Sequence, residues 1–363
     1  MDSLMIFITL LPESIKFGLI YSIMVMGVYI TYKILDFPDL TVDGSFTLGG
    51  FTFAATMIAF PSHPIIGLIF AAIAGTIAGL ITGILHVKYG INKLLSGIIT
   101  MTALYSINSR ILNKPNVFLE NQQSWFYIIT YEKYFTIFII ISIILLFIKV
   151  LYDRRIKPDK DVLKSLMIYI VIYIFSIGYV YYSKDISMYL LLIIVFVIKL
   201  IMDYILTSKF GLILRALGDN EVLVSNLGVS VSKVKIIGLM LSNLLVASSG
   251  AFFAQYIKVV DLSSSVGTII IGLASIIFGM GVIKRSRSIN NISIVILGSI
   301  IYYIIINFAL NSSSITDELF YALGFSQDLI SKLSIKPTDV KIITAVFLAI
   351  ILAVGKKRGK GNA

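Results

Sequence analysis

Eleven apolar runs, at about 15–35, 45–60, 64–85, 91–112, 134–151, 164–182, 187–207, 234–257, 266–283, 290–310 and 338–355, alternate with short polar stretches. Most approach the roughly 20 residues a helix needs to cross a bilayer. Inside lipid each backbone amide must be paired within its own segment, so these runs predict helices. The 45–60 run is short for a crossing and follows Leu35-Asp-Phe-Pro-Asp-Leu-Thr-Val-Asp-Gly44, which carries a proline, a glycine and three carboxylates. Two readings of that stretch stay open. It is a solvated surface loop, or a broken, re-entrant passage at membrane depth lining a polar path.

Composition narrows the class. Of 363 residues, 58% are hydrophobic and 13% charged, about half the charge of a soluble domain. A soluble fold of this size could not cover so much apolar surface. The expected fold is an all-α polytopic integral membrane protein with about 9–11 transmembrane helices, one of them broken or re-entrant near 36–60 on the second reading. A single transmembrane domain would span 1–355, followed by a basic tail over 356–363. Met1-Asp2-Ser3 lacks a basic leader, so the first run reads as a retained span rather than a signal peptide.

Chemistry is sparse. With no cysteine, disulfides, thiolate metal sites and cysteine nucleophiles are excluded. The two histidines, His63 and His86, are too few for a histidine metal centre and read as marks of span ends. Gly355-Lys-Lys-Arg-Gly-Lys-Gly361 lacks the spacing and the Ser/Thr of a phosphate loop. The chain is therefore expected to hydrolyse no nucleotide and to hold no cofactor of its own.

The formal charge of +11 has an orientation rather than a nucleic acid behind it. If all eleven runs cross and the C-terminus is cytoplasmic, segments 86–93, 149–164, 199–235, 284–290 and 355–363 lie inside. With Lys33 they hold 21 of the 30 Lys and Arg, against nine elsewhere, as the positive-inside rule requires. Trp125, Phe126, Tyr127, Tyr131 and Tyr134 then lie at the outer face and read as an aromatic belt. Gly75, Gly79 and Gly83 repeat every four residues, a small-residue stripe for close helix packing within the chain or between subunits.

Three further patterns bear on function. Ionisable groups inside a membrane are costly and usually functional, yet runs 45–85, 236–257, 266–283 and 291–310 contain none apart from His63. The carboxylates Asp36, Asp39 and Asp43 stand out for that reason. The cytoplasmic stretch 208–233 is too long for a tight turn. Gly218 is expected to end a first amphipathic helix as a left-handed cap, Asp219 or Asn220 to cap a short helix Glu221–Leu227, Gly228 to terminate it, and Ser230 or Ser232 to cap the next span. Such a helix suits a partner's groove or, equally, the lipid headgroups. Finally, Asp39-Leu-Thr-Val-Asp-Gly44 is faintly echoed by Asp261-Leu-Ser-Ser-Ser-Val-Gly267, and duplicated halves with interrupted helices are common in transporters.

Leu35-Asp-Phe-Pro-Asp-Leu-Thr-Val-Asp-Gly-Ser-Phe-Thr-Leu-Gly-Gly50 resembles the corresponding stretch of bacterial ABC transporter permeases of the tryptophan-transporter type, within the branched-chain amino acid and ribose permease family. Lys209-Phe-Gly-Leu-Ile-Leu-Arg-Ala-Leu-Gly-Asp-Asn220 with Leu227-Gly-Val229 is similar to that family's cytoplasmic signature, and the likeness continues through 238–243, 250–256 and 271–277. It covers about 15–112 and 190–310. The resemblance implies an importer permease for an amino acid, an aromatic one among the candidates, or a similar small solute. It implies a homodimer in the bacterial plasma membrane, a cytoplasmic ABC ATPase that binds the ATP, and an extracytoplasmic substrate-binding lipoprotein. It assigns ATPase coupling to Arg215, Ala216, Gly218, Asn220, Glu221 and Gly228. It assigns the translocation pathway to Asp39, Asp43, Ser45, Thr47, Gly49 and Gly50. Asn243 and Gln255 are weaker candidates there, with interhelical hydrogen bonding an equal alternative. Against the family, 131–185 reads as an extra helical hairpin.

An ion-coupled secondary transporter of broken-helix type is the competing class and would need the acidic turn as an ion site. A membrane enzyme would need paired catalytic groups, which only Asp36, Asp39 and Asp43 could offer. The basic asymmetry makes a direct prediction. A reporter after Lys360 or near Lys157 reads cytoplasmic and one near Asn121 external; an external C-terminus would reverse every loop assignment.

Overall fold

The computed structural model describes residues 2–61, 63–120, 124–129, 131–154, 159–263, 267–283 and 289–311, with isolated positions beyond. The predicted span 338–355, the tail 356–363 and most of the basic turn 284–290 lie outside these residues. α1 (Asp2–Val28) runs into a π-helical turn, Tyr29–Ile34. α2 (Thr41–Ala59), α3 (Pro64–Val87), α4 (Lys93–Leu112), β1 (Asn116–Phe118) and α5 (Trp125–Ile128) follow. Next come α6 (Tyr131–Arg154), α7 (Asp159–Ser183), α8 (Ser187–Thr207), α9 (Lys209–Asp219) and α10 (Glu221–Asn226). α11 (Val231–Ile257), β2 (Val259–Asp261), α12 (Thr268–Val282) and α13 (Asn291–Asn311) complete the described chain.

Seven of these helices are long and apolar enough to cross a membrane. This is an all-α polytopic membrane protein. α2 and α4 have the length, at 19 and 20 residues, but are more polar, and α12 has only 15 residues. The histidines fall where expected: His63 precedes α3 and His86 lies in its last turn.

Small residues set the helix spacing. A Cβ added to Gly75 would meet the Asn243 carbonyl at 2.3 Å, and one on Gly79 the Leu239 carbonyl at 2.3 Å. The glycine stripe thus packs α3 against α11 of the same chain, at backbone contact. A Cβ on Gly18 would lie 2.6 Å from the Ile300 Cα, so α13 sits equally close to α1. Serine hydroxyls stitch these contacts, from Ser242 to the Gly27 carbonyl, Ser249 to Ile20 and Ser299 to Gly18, at 2.8–2.9 Å. With little hydrophobic gain between helices in lipid, close packing and such bonds hold the bundle.

The two ends of the bundle differ in construction. At one end Phe37 meets the His86 ring and Lys93 Nζ donates to the Asp36 carbonyl at 2.8 Å. At the other, β1 and β2 pair antiparallel, with Asn116 opposite Asp261 and Phe118 opposite Val259, joining the segments after α4 and α11. Nearby, buried Lys16 binds Glu13 at 2.7 Å and Asp185 at 2.5 Å. Burial would raise the Asp185 carboxyl, but Lys16 and two bonds from Ser187 outweigh it and hold the group below the usual carboxylate range. Trp125 is half-buried, its ring 6.3 Å from that of Phe252 on α11.

The α6–α7 hairpin is fixed to α8 by charge. Lys149 and Asp153 on α6 pair at 2.7 Å, and Lys199 and Asp203 on α8 at 2.5 Å. Lys149 also reaches Asp203 at 3.9 Å, and Ser165 of α7 donates to Asp153 at 3.2 Å. All four charged side chains are only 3–4% exposed. Such a cluster is neutral as a whole and costly in any part. Removing one charge, as in Lys199→Met, should lower stability by about 3–5 kcal/mol. Lys199→Met with Asp203→Leu should recover much of that loss, as read by thermal unfolding in detergent.

Candidate translocation and coupling sites

The acidic stretch after α1 is neither a free loop nor an open channel wall. The helix widens to π geometry over Tyr29–Ile34, a feature often found at functional sites. Leu35 N–H then donates to the Ile30 carbonyl and Phe37 N–H to the Thr31 carbonyl, both at 2.9 Å. Asp36 takes a left-handed conformation, φ 50°, and its side chain is 83% exposed. The chain turns back, and Asp39 and Asp43 are buried.

Each buried carboxylate has a distinct task. Asp39 Oδ1 accepts from the Thr41 N–H at 2.9 Å, satisfying one of the first free donors of α2. Its Oδ2 accepts from Asn243 Nδ2 on α11 at 2.8 Å. Asn243 also donates to the Leu239 carbonyl at 3.0 Å and accepts from Ser45 Oγ at 2.6 Å. Asp43 reaches across to α12. Its Oδ2 accepts from Gly267 N–H at 2.8 Å, and Oδ1 from Ile269 N–H at 2.8 Å and Thr268 Oγ1 at 2.9 Å. A carboxylate on one helix thereby caps another, and the N-terminal half-charge of α12 offsets its own. Gly267 stands at φ 92°, where a glycine is needed to enter the helix at this angle.

The two echoed sequence stretches therefore meet, Asp43 of the first holding Gly267 of the second. The other pathway candidates sit around this junction with the backbones in contact. Thr47 Oγ1 donates to the Asp43 carbonyl at 3.2 Å. A Cβ on Gly49 would come 1.9 Å from the Ala247 carbonyl, and one on Gly50 3.2 Å from Val260. Reciprocally, a Cβ on Gly250 would come 1.9 Å from the Phe46 carbonyl. Gln255 lies apart, twelve residues beyond Asn243 on α11. Its Oε1 accepts from the Trp125 N–H at 3.3 Å, while its Nε2 has no partner among the described residues. A buried hydroxyl ladder from Thr41 through Thr82 to Thr100, which the sequence reading missed, ties α2, α3 and α4 at 2.8–2.9 Å.

The coupling candidates divide into an inner and an outer set. Arg215 donates to the Leu206 carbonyl, closing the end of α8. The expected left-handed cap at Gly218 does not form: α9 continues to Asp219 and Gly218 is helical. Its lack of a side chain serves contact instead, since a Cβ there would meet the Ile34 carbonyl at 1.8 Å. Ala216 packs partly buried beside it. Asn220 Oδ1 does cap α10, accepting from Leu223 N–H at 3.0 Å, and Gly228 does end it at φ 74°. Ser230 stands at the start of α11 without a side-chain cap bond. Glu221 pairs with Lys235 through both carboxylate oxygens, at 2.7 and 2.8 Å. On the outer side Val222, Leu223 and Leu227 are 67%, 53% and 71% exposed.

Residues 11–351 match the family model of the branched-chain amino acid transport system permease component. The chain belongs to this family. It is a membrane permease subunit, a transport component of ABC importers rather than an enzyme. It is 34% identical over 342 residues to the tyrosine transport system permease protein of Clostridioides difficile (strain R20291), covering 93% of this chain and 88% of that one. An uncharacterized protein of Rickettsia prowazekii (strain Madrid E) is 28% identical over 355 residues, covering 97% and 98%. No solved structure matches it.

For this permease the Asp43 cap carries a prediction. Asp43→Leu leaves two amides unpaired at a buried helix start, each worth about 1–3 kcal/mol. Faster hydrogen exchange at 267–271 and reduced uptake are expected, with Asp43→Asn intermediate; unchanged exchange in Asp43→Leu would make the cap dispensable.

Proposed function

We propose that this permease imports an aromatic amino acid, a reading supported by its likeness to a relative named for tyrosine transport. In this reading two copies form the membrane core of the importer in a bacterial plasma membrane, with cytoplasmic C-termini. A cytoplasmic ABC ATPase binds the ATP, and an extracytoplasmic lipoprotein delivers the solute. The translocation pathway runs past the junction of α2, α11 and α12, where Asp39, Asp43, Ser45, Thr47, Gly49, Gly50 and Asn243 gather, with Gln255 nearer the outer face.

The observation that carries the reading is the two-sidedness of α9–α10. Three large apolar side chains, Val222, Leu223 and Leu227, are exposed on one side, as a groove on a partner protein would require. On the other side Gly218 touches the carbonyl of Ile34, in the π-helical turn that leads into the buried carboxylates. A push on α10 from the ATPase reaches the turn through this backbone contact. It then shifts Asp39 and Asp43 against α11 and α12. Exchange between two arrangements of that junction would open the path to alternate sides.

Gly218→Ala places a methyl group where the Ile34 carbonyl now lies. Assembly with the ATPase should survive, since the outer face of α10 is untouched, while substrate-stimulated ATP hydrolysis and uptake fall about tenfold or more, or about 1.4 kcal/mol of lost coupling. Leu223→Asp should instead abolish ATPase binding in a pull-down. Full stimulation in both variants, or uptake without any ATPase, would overturn the reading.

A further inference from the structure

A pocket of about 380 Å³ lies between the start of α3, α5 and the start of α6, within the roughly 300–1,000 Å³ of small-molecule sites. His63, Ile65 and Ile66 line one side, Trp125 and Ile129 a second, and Tyr134 a third. His63 and Ile65 are exposed, so the mouth is open. The Trp125 N–H bonds to Gln255 near the end of α11, which places the pocket at the β1–β2 end of the bundle. With cytoplasmic C-termini, as proposed above, this is the outer end, where a delivered solute first meets the permease. Tyr134 comes from the extra hairpin, so the hairpin and the rest of the chain build this pocket together.

The walls are selective in their chemistry. An indole, a phenol ring and three isoleucines suit a flat aromatic side chain, because edge and offset contacts between rings add to apolar burial. Polar groups stand beside them. His63 offers an imidazole, and Lys133 Nζ lies 5.2 Å from the centre of the Tyr134 ring. A carboxylate is the partner that both groups bind well. A ring and a carboxylate together describe an aromatic amino acid. We propose that this pocket is a receiving site, where such a solute rests before it moves toward the junction, its ring against Trp125 and Tyr134 and its carboxylate toward His63 and Lys133. The proposal rests on the aromatic solute and the orientation proposed above. The pocket is also joined to α11. Ser124 Oγ donates to the Gln255 carbonyl at 2.9 Å and the Trp125 N–H to Gln255 Oε1 at 3.3 Å. Gln255 is fully buried, and its Nε2 has no partner among the described residues. It offers an unused amide donor to a solute leaving the pocket past Trp125.

The test uses the whole permease in phosphatidylcholine nanodiscs, without ATPase or delivery protein. Trp125 is the only tryptophan of the chain, so indole emission reports on this pocket. L-Phenylalanine should shift that emission saturably, with L-leucine and phenethylamine, which lack the ring and the carboxylate respectively, each binding about fivefold more weakly. Tyr134→Leu should weaken phenylalanine by about fivefold as well, whereas Tyr134→Phe keeps the ring and should bind as the unaltered chain does. Because the chain has no cysteine, Ile65→Cys places a single thiol at the mouth, and phenylalanine should slow its reaction with a maleimide. Equal responses to phenylalanine and leucine overturn the proposal. Protection of the thiol by added phosphatidylglycerol, with no further effect of phenylalanine, would mean that lipid fills the pocket and overturns it as well. Uptake by the complete importer is read in parallel. Tyrosine uptake without phenylalanine binding at the pocket overturns this inference and leaves the proposed function standing; an importer that takes up leucine and not tyrosine overturns the proposed function.

Discussion

A helix that starts inside a membrane protein brings unpaired amides to a place where water cannot reach them. In this permease α12 starts in that way, and the Asp43 carboxylate answers its first amides from a different helix. The charge and the amides are each costly alone, and together they cancel. Once Asp43 is bound to Gly267, Thr268 and Ile269, α2 cannot slide along α12. Asn243, held by Asp39 and Ser45, gives the same fixity against α11. The glycine contacts of Gly49 and Gly250 then follow, because backbones brought this close leave no room for a Cβ.

The same junction is joined to α9 and α10 by a short run of backbone contacts. Between the exposed face of α10 and Asp39 lie only α9, the Gly218 contact with Ile34 and a short turn. Rigid elements in backbone contact transmit displacement better than flexible side chains, because packed interfaces switch rather than deform. Arg215 contributes by holding α9 to the end of α8, and the Glu221–Lys235 pair by holding α10 to the start of α11. The segment is anchored on three sides and free on the fourth.

The hairpin α6–α7 follows a different rule. Its outward surface is strongly apolar, with Ile143, Phe147, Ile174 and Phe175 exposed, as lipid-facing helices should be. Its inward surface carries the Lys149–Asp153 pair, which meets the Lys199–Asp203 pair of α8 through Lys149 and Asp203. A buried neutral cluster adds less stability than apolar packing would, but it permits one register. The hairpin is thereby located on the bundle even though its apolar faces could slide.

Much of the architecture was legible without coordinates. Hydropathy gave the helices because lipid leaves the backbone no alternative to pairing with itself. The capped helix after Asn220 and its end at Gly228 were legible because caps are local chemistry. Gly218 was misread for the same reason: a glycine before Asp219 looks like a terminator, and only the Ile34 carbonyl beside it reveals a close contact. The carboxylates of 36–44 could be singled out by type, yet loop and re-entrant turn were equally compatible with their sequence. Their partners lie more than 200 residues away, at Asn243 and Gly267, and no local pattern encodes such a pairing. Sequence alone determined the apolar helices and the family, since these rest on composition, local periodicity and short motifs. Which faces of those spans touch, and hence what each buried polar group serves, was decided by the tertiary structure, because long-range hydrogen bonds exist only once the helices have packed.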